Sequence, residues 1–296
     1  AARQLGYVPD LAARALASRR TEVIGVLIPS FTNNVFSDVL RGIYDGSGES
    51  RYSIQLVNTH YSILQEERLL RLFKAQRPAG LVVTAFNQTE ESRAILESMN
   101  CPIVQIMELG PDPIDMMVGF SHNAAAFEVI SHLIGLNFKR IGFLGARMDP
   151  RVQRRLEGYT DAMKRASLYD PRLIIATPVS TSVTMGGTLF ADLLMKAPDL
   201  DAVFCVNDDL ALGALFECQR RQIQVPEDIA IVGFNDLEYM ASAVPPLSSV
   251  RTNRYDMGRT AINMVMDAIE GRRPSMPVVD LGYELMIRRS SAPRHI

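Results

Sequence analysis

The sequence predicts an α/β fold of two Rossmann-like lobes, each a parallel sheet covered by helices on both faces. Three observations carry this. Short apolar runs rich in β-branched residues alternate with longer amphipathic segments, the signature of βα units. The alternation restarts near residue 140, so the architecture reads as duplicated, although no close sequence repeat accompanies it. The 296 residues are long for one domain and suit two lobes of about 100–150 residues each.

The first series opens with the strand VIGVLI at 23–28. A helix over 35–49, a strand at 53–57 and a helix over 63–76 follow. Then come a strand at 80–84, a helix over 90–98, strands at 102–106 and 117–120, and a helix over 124–136. The second series starts with RIGFL at 140–144. It continues with a helix over 152–166, a strand at 173–175 and a helix over 183–196. A strand at 202–206, a helix over 210–221 and a strand at 229–233 come next. A last helix over 255–270 is stopped by Gly271 and Pro274.

Hydrophobic residues at 47% with 22% charged describe a globular chain able to bury a sizeable core. No apolar run approaches the 18 or so residues of a membrane span, and residues 1–10 lack the apolar stretch of a signal peptide. Cys101, Cys205 and Cys218 form no CxxC pair and read as thiols of a reducing cytoplasm. The net charge of −2 excludes a broadly basic nucleic-acid binder. The charge is uneven, however. Residues 1–20 carry Arg3, Arg14, Arg19 and Arg20 against Asp10 alone, a basic arm on an acidic body.

In open α/β sheets ligands sit beyond the carboxyl ends of the strands, and two such lobes place the natural site in a cleft between them. Residues 29–36, 120–123, 146–155, 207–208 and 235–236 follow strands and are the candidates. Enzyme chemistry is not expected: none of the four histidines forms a close metal-ligand pair, and there is no GxSxG, GxGxxG or Walker A loop. No metal or other cofactor is implied. Asp208–Asp209 reads as one carboxylate toward the cleft and one at the start of the helix over 210–221. Arg147, Arg151, Arg154 and Arg155 crowd one loop and helix start; guanidinium forks there suit carboxylate, phosphate or vicinal hydroxyl oxygens, and a solvated face is the competing reading.

Residues 8–20 read VPDLAARALASRR, with Asp10 a plausible N-cap before an alanine-rich stretch. Two turns of helix are marginal alone. Either the segment packs on the body or a second chain or DNA holds it.

LGYVPDLAARAL upstream of IGVLIP resembles the end of the DNA-binding headpiece and the hinge helix of the LacI/GalR family. The resemblance continues through HLIGLNFKRIGFLG at 132–145, RRLEGY at 154–159, NDDLALGAL at 207–215 and VPEDIAIVGFND at 225–236. PPLSSVR at 245–251 and ELMIRRSS at 284–291 complete it. It implies a periplasmic-binding-protein-like fold with three crossover strands. The implied division is a headpiece remnant at 1–7, a hinge helix at 8–21, one lobe from 22–136 with 252–277, and the other from 137–251 with 278–296. Most of the helix-turn-helix is expected to be missing.

The same resemblance implies site roles. Leu16, with Arg14 beside it, would wedge into the minor groove of operator DNA. Arg155 would bind effector oxygens, as would Asn207, Asp208 and Asn235, while Val35 and Phe36 pack the ligand's apolar side. Asn235 stands where many relatives carry a carboxylate, and Phe120 where some carry a ligand-binding aspartate. Both departures remove negative charge, and Arg147 and its neighbours add positive charge. With the wording of 119–122 and 142–158, which resembles the gluconate-repressor branch, this points to a sugar acid as effector. The expected function is a cytoplasmic, homodimeric, allosteric repressor that binds operator DNA and a small carbohydrate; the alternative is a periplasmic-type sugar-binding protein of a transport system.

Overall fold

The computed structural model describes residues 21–84 and 88–292. The chain divides into two compact units, one running to Gly119 and resuming over Arg254–Leu281, the other comprising Phe120–Asn253 and the chain from Gly282. It passes between them three times, at 119–120, 253–254 and 281–282. Among the described residues no helix is long and apolar enough to cross a membrane.

The first unit contains β1 (Val23–Ile28), α1 (Val35–Ser47), β2 (Ser53–Asn58), α2 (Ile63–Gln76), β3 (Gly80–Val83) and α3 (Glu90–Glu97). β4 (Ile103–Ile106), β5 (Met116–Gly119), and, after the chain returns, α9 (Arg254–Ile269) and β11 (Val278–Asp280) complete it. Its sheet is ordered β11-β5-β4-β3-β1-β2, with every pair parallel. β1, β3, β4 and β5 are buried almost throughout and, but for Gln105 in β4, carry no polar side chain, because helices cover both their faces. On one face Leu27, Leu81, Val83 and Ile103 pack with Leu70, Phe73, Ile95 and Leu96 from the covering helices. Ser62 and Thr89 cap α2 and α3 by accepting the amides of Gln65 and Ser92. α1 and α9 approach to backbone contact across Gly42 and Gly258, since a Cβ on either would collide with the other helix's carbonyl oxygen, at Tyr255 and Val39.

Half-buried Glu66, in the first turn of α2, has its carboxyl pushed up to about 7, by burial first and the Glu67 charge second. The folded state therefore keeps a proton that the unfolded chain, near 4.5, has lost, so this group's contribution to stability falls as pH rises from about 4.5 through about 7. Glu66→Gln is expected to raise the urea midpoint at pH 8 and leave it unchanged at pH 4. An equal gain at both values would contradict this.

The second unit contains α4 (His122–Gly135), β6 (Ile141–Ala146), α5 (Pro150–Arg165), β7 (Ile174–Thr177), α6 (Val183–Lys196) and β8 (Ala202–Cys205). α7 (Asp208–Arg221), β9 (Ala230–Asn235), the short α8 (Tyr239–Ser242), β10 (Ser248–Thr252) and β12 (Tyr283–Met286) follow. The sheet order is β12-β10-β9-β8-β6-β7. It repeats the first sheet position for position, except that β12 runs antiparallel to β10. The duplication read from the restarting pattern is thus a duplication of topology. An aromatic column forms the core: Phe143 meets Tyr159 at 5.3 Å and Phe204 at 6.0 Å between ring centroids, and Phe204 meets Phe234 at 6.4 Å. The Tyr159 hydroxyl donates to the Ile141 carbonyl at 2.8 Å, which satisfies it inside that core.

Two boundaries differ from those read in the sequence. α4 belongs to the second unit, not the first, because Gly158 of α5 lets the two helices touch at the Asn123 backbone. β11 belongs to the first unit, where it extends the sheet beside β5. The expected hinge helix at 8–21, with Arg14 and Leu16, lies outside the described residues but for Thr21, whose amide donates to the Arg77 carbonyl at 3.0 Å.

Candidate functional site

The carboxyl ends of β6, β8 and β9 gather the chemistry of the second unit. α5 starts just past β6 on Asp149, whose side chain accepts the amides of Arg151 and Val152. Helical spacing then aims Arg155 inward, Gly158 at α4 and Tyr159 into the aromatic column. Arg155 is only 6% exposed. Its Nε donates to His122 Nδ1 at 3.1 Å and its Nη1 to the Val206 carbonyl just beyond β8. Its guanidinium carbon lies 3.7 Å from the centre of the Phe234 ring. The His122 ring is tilted against Phe120 at 4.3 Å and stacked on Phe234 at 5.6 Å, again between ring centroids. A cation is therefore held in an aromatic box, with its orientation set by two acceptors. Because His122 Nδ1 accepts, the ring is the neutral tautomer protonated at Nε2.

The other arginines of this segment are used differently. Arg151 pairs with Asp149 at 3.3 Å and Arg154 with Glu157 at 3.2 Å. Burial opposes ionisation of Asp149, yet the Arg151 guanidinium and, more weakly, the Arg155 charge hold its carboxyl below the usual range. So the expected surplus of positive charge is offset at two of the four arginines. Arg147 sits at the end of β6 with φ 67°, its amide bonded to the Val179 carbonyl at 2.8 Å and its side chain half-buried.

Asn207 is the N-cap of α7. Its Oδ1 accepts the Leu210 amide at 3.0 Å and its Nδ2 donates to Thr181 Oγ1 at 3.1 Å. Asp208 is fully buried, and both its carboxylate oxygens accept: Oδ1 from the Ser249 hydroxyl at 2.6 Å, Oδ2 from the Leu237 amide at 2.7 Å. The carboxylate expected to face a ligand is thus turned into the unit, and the neighbouring Asp209 accepts from the Tyr239 hydroxyl at 2.5 Å. Asn235 ends β9 at φ 112°, outside even the left-handed helical well, and Asp236 follows at 54°. Such residues cost on the order of 1–3 kcal/mol each, so the surroundings must hold them.

Val35 and Phe36 lie in the first unit, at the start of α1, and are 8% and 2% exposed. Asn33 sets that turn: its Oδ1 accepts the Val35 amide at 3.1 Å and its Nδ2 donates to the Tyr61 hydroxyl at 3.1 Å. In the second unit the structure links Phe120 to Arg155 through His122, and brings Asp208 into one network with the backbone after Asn235. Sequence reasoning placed His122 in the candidate run 120–123 without a role of its own, and passed over Phe234 and Ser249. Phe234 had a signal, standing beside Asn235 in GFND. Ser249 had only its place in PPLSSVR.

Residues 130–291 match the family profile of the periplasmic binding protein-like domain. The HTH-type transcriptional regulator GntR of Pseudomonas aeruginosa is 42% identical, over 98% of this chain and 85% of that protein. The chain belongs to the LacI/GalR family of transcriptional regulators. Within the LacI/GalR family it falls in the gluconate-repressor branch, beside IdnR of Escherichia coli, which is 34% identical over 95% of this chain and 85% of that one. The solved structure of the regulator GntR from Chromobacterium violaceum superposes with a TM-score of 0.87 at 41% identity, covering 91% of this chain and 99% of that one. A LacI/GalR member is a regulator of transcription, so the resemblance read from the motifs at 132–145, 154–159, 207–215 and 225–236 is membership.

Proposed function

We propose that this regulator binds a sugar acid of the gluconate type at the Arg155 box, and that occupancy alters its affinity for operator DNA. The observation that carries the reading is Arg155, a buried guanidinium oriented by His122 and Val206 at the carboxyl end of the sheet. A guanidinium matches carboxylate and paired hydroxyl oxygens, and in this reading Phe120 is an apolar contact beside it. Asn235, neutral where many relatives carry a carboxylate, and Phe120, neutral where some carry an aspartate, add no charge that would repel a carboxylate. Asn207, Arg147, Val35 and Phe36 are further contacts in this reading. Asn235 supplies an amide able both to donate and to accept.

The protein acts as a homodimer, since recognition of two half-sites requires a two-fold. Leu16, with Arg14, enters the minor groove; unstacking costs a few kcal/mol per step, offset by the contacts of bent DNA. A typical coupling of about 1–3 kcal/mol changes operator affinity roughly 5–150-fold.

A thermal-shift panel of aldonic acids and neutral hexoses tests the effector. A ligand at 100 times its Kd stabilises by about 2.7 kcal/mol, so D-gluconate is expected to raise Tm clearly. A shift with neutral hexoses and none with any aldonic acid would overturn the sugar-acid reading.

A further inference from the structure

We propose that Asp208 is a positioning residue: with Ser249 it holds the strained backbone at 235–237, so that Asn235 meets the effector in one fixed orientation. The inference rests on the reading of Asn235 as an effector contact. Ser249 Oγ donates to Asp208 Oδ1 at 2.6 Å and accepts the Asp236 amide at 3.0 Å, while Asp208 Oδ2 accepts the Leu237 amide at 2.7 Å. Two successive amides after Asn235 are therefore tied to one buried carboxylate, one directly and one through a hydroxyl. Asp208 lies in the first turn of α7, where the helix dipole favours its charge.

The Asp236 side chain pins the same turn from the opposite direction, accepting Arg251 Nε at 2.9 Å and Arg288 Nη1 at 2.6 Å. Room for the carboxylate comes from Gly233, where a Cβ would stand 2.5 Å from Asp208 Oδ1. Asn235 and Asp236, with φ of 112° and 54°, keep their conformation because both flanks are over-determined. Motifs scattered through the sequence converge on this turn: NDD supplies the carboxylate, GFND the strained pair, SSVR the hydroxyl and one guanidinium, and IRRSS the other. A residue that only filled space would leave the amides of 236 and 237 to other partners.

The test is a double-mutant cycle of Ser249→Ala with Asn235→Ala, read by titration with D-gluconate, together with amide hydrogen exchange on the unliganded proteins. Asp208→Asn, which keeps an acceptor oxygen, serves as a second probe of the same network. Ser249→Ala is expected to weaken D-gluconate about tenfold in the parent and less than about twofold in the Asn235→Ala background, since residues acting through one another are not additive. Exchange at Asp236 should accelerate in Ser249→Ala, and at Leu237 in Asp208→Asn, with the β8 and β9 amides unchanged. Additive losses, or unchanged exchange at 236 and 237, would overturn the proposal. If the parent itself takes no D-gluconate, the sugar-acid reading fails instead, and the exchange result alone decides this one.

Discussion

Arg155→Met is expected to abolish effector binding while leaving the fold as stable as before, or more so. The two effects separate because they have different physical sources. Truncating one member of a desolvated, hydrogen-bonded charge contact costs about 2–5 kcal/mol of binding, roughly 30- to several-thousand-fold in Kd. Stability moves the other way: methionine is of similar length, can pack against Phe234, and removes the desolvation cost of a buried cation. His122 Nδ1 and the Val206 carbonyl lose a donor, which limits the gain. Arg155→Lys keeps the charge but not the planar fork that bonds both acceptors, so it should not restore affinity. Calorimetric titration and thermal melts of the three proteins check this. A methionine variant that binds normally, or a lysine variant that does, would show that Arg155 is a core residue and no more.

Gly258→Ala is expected to destabilise the first unit strongly, against the trend for exposed helix positions. In a solvent-facing helix the change from glycine to alanine gains about 1 kcal/mol. Here the added Cβ would fall well inside contact distance of the Val39 carbonyl oxygen and 2.8 Å from its carbon. Backbone atoms cannot yield as a side-chain tip can. The two helices must therefore separate, and overpacking of this kind costs about 1–3 kcal/mol or more. Arg254–Asp38 and Tyr255–Asp45, both bridging α9 to α1, would be stretched in the same movement. Urea unfolding should show the loss, and alanine at exposed Gly271, where φ is 81°, makes a useful contrast because its cost comes from backbone strain alone.

The parts of the fold legible in the sequence are those in which burial dictates composition. β1, β3, β6, β8 and β9 are covered on both faces, so their apolar runs stand out, and the helices between them show in their periodicity. The sequence shows no strand at β10, because Pro245, Pro246, Ser248 and Ser249 interrupt any apolar run there. The β10 serines are fully buried because their partners lie far off in the chain: Ser248 bonds with Arg288, Ser290 and Ser291, and Ser249 with Asp208 and the Asp236 amide, which no local pattern reveals. β11 and β12 are half-exposed edge strands with weak alternation.

The site is less legible. Arg155 is singled out only by the LacI/GalR resemblance, because the arginine-rich helix start alone also fits a solvated face, and Arg151 and Arg154 do pair locally with Asp149 and Glu157. The role of Asp208 is not legible at all. A carboxylate after a strand reads as a ligand contact, and only the placement of Leu237 and Ser249, 29 and 41 residues further on, turns it inward.

The central claim is that the second unit takes a sugar acid on Arg155. A crystal structure of the protein with D-gluconate tests it most directly. One molecule per chain is expected, with its oxygens within about 3 Å of the Arg155 guanidinium and of the Asn235 amide. D-gluconate bound elsewhere, with Arg155 still meeting His122, Val206 and Phe234, would contradict it.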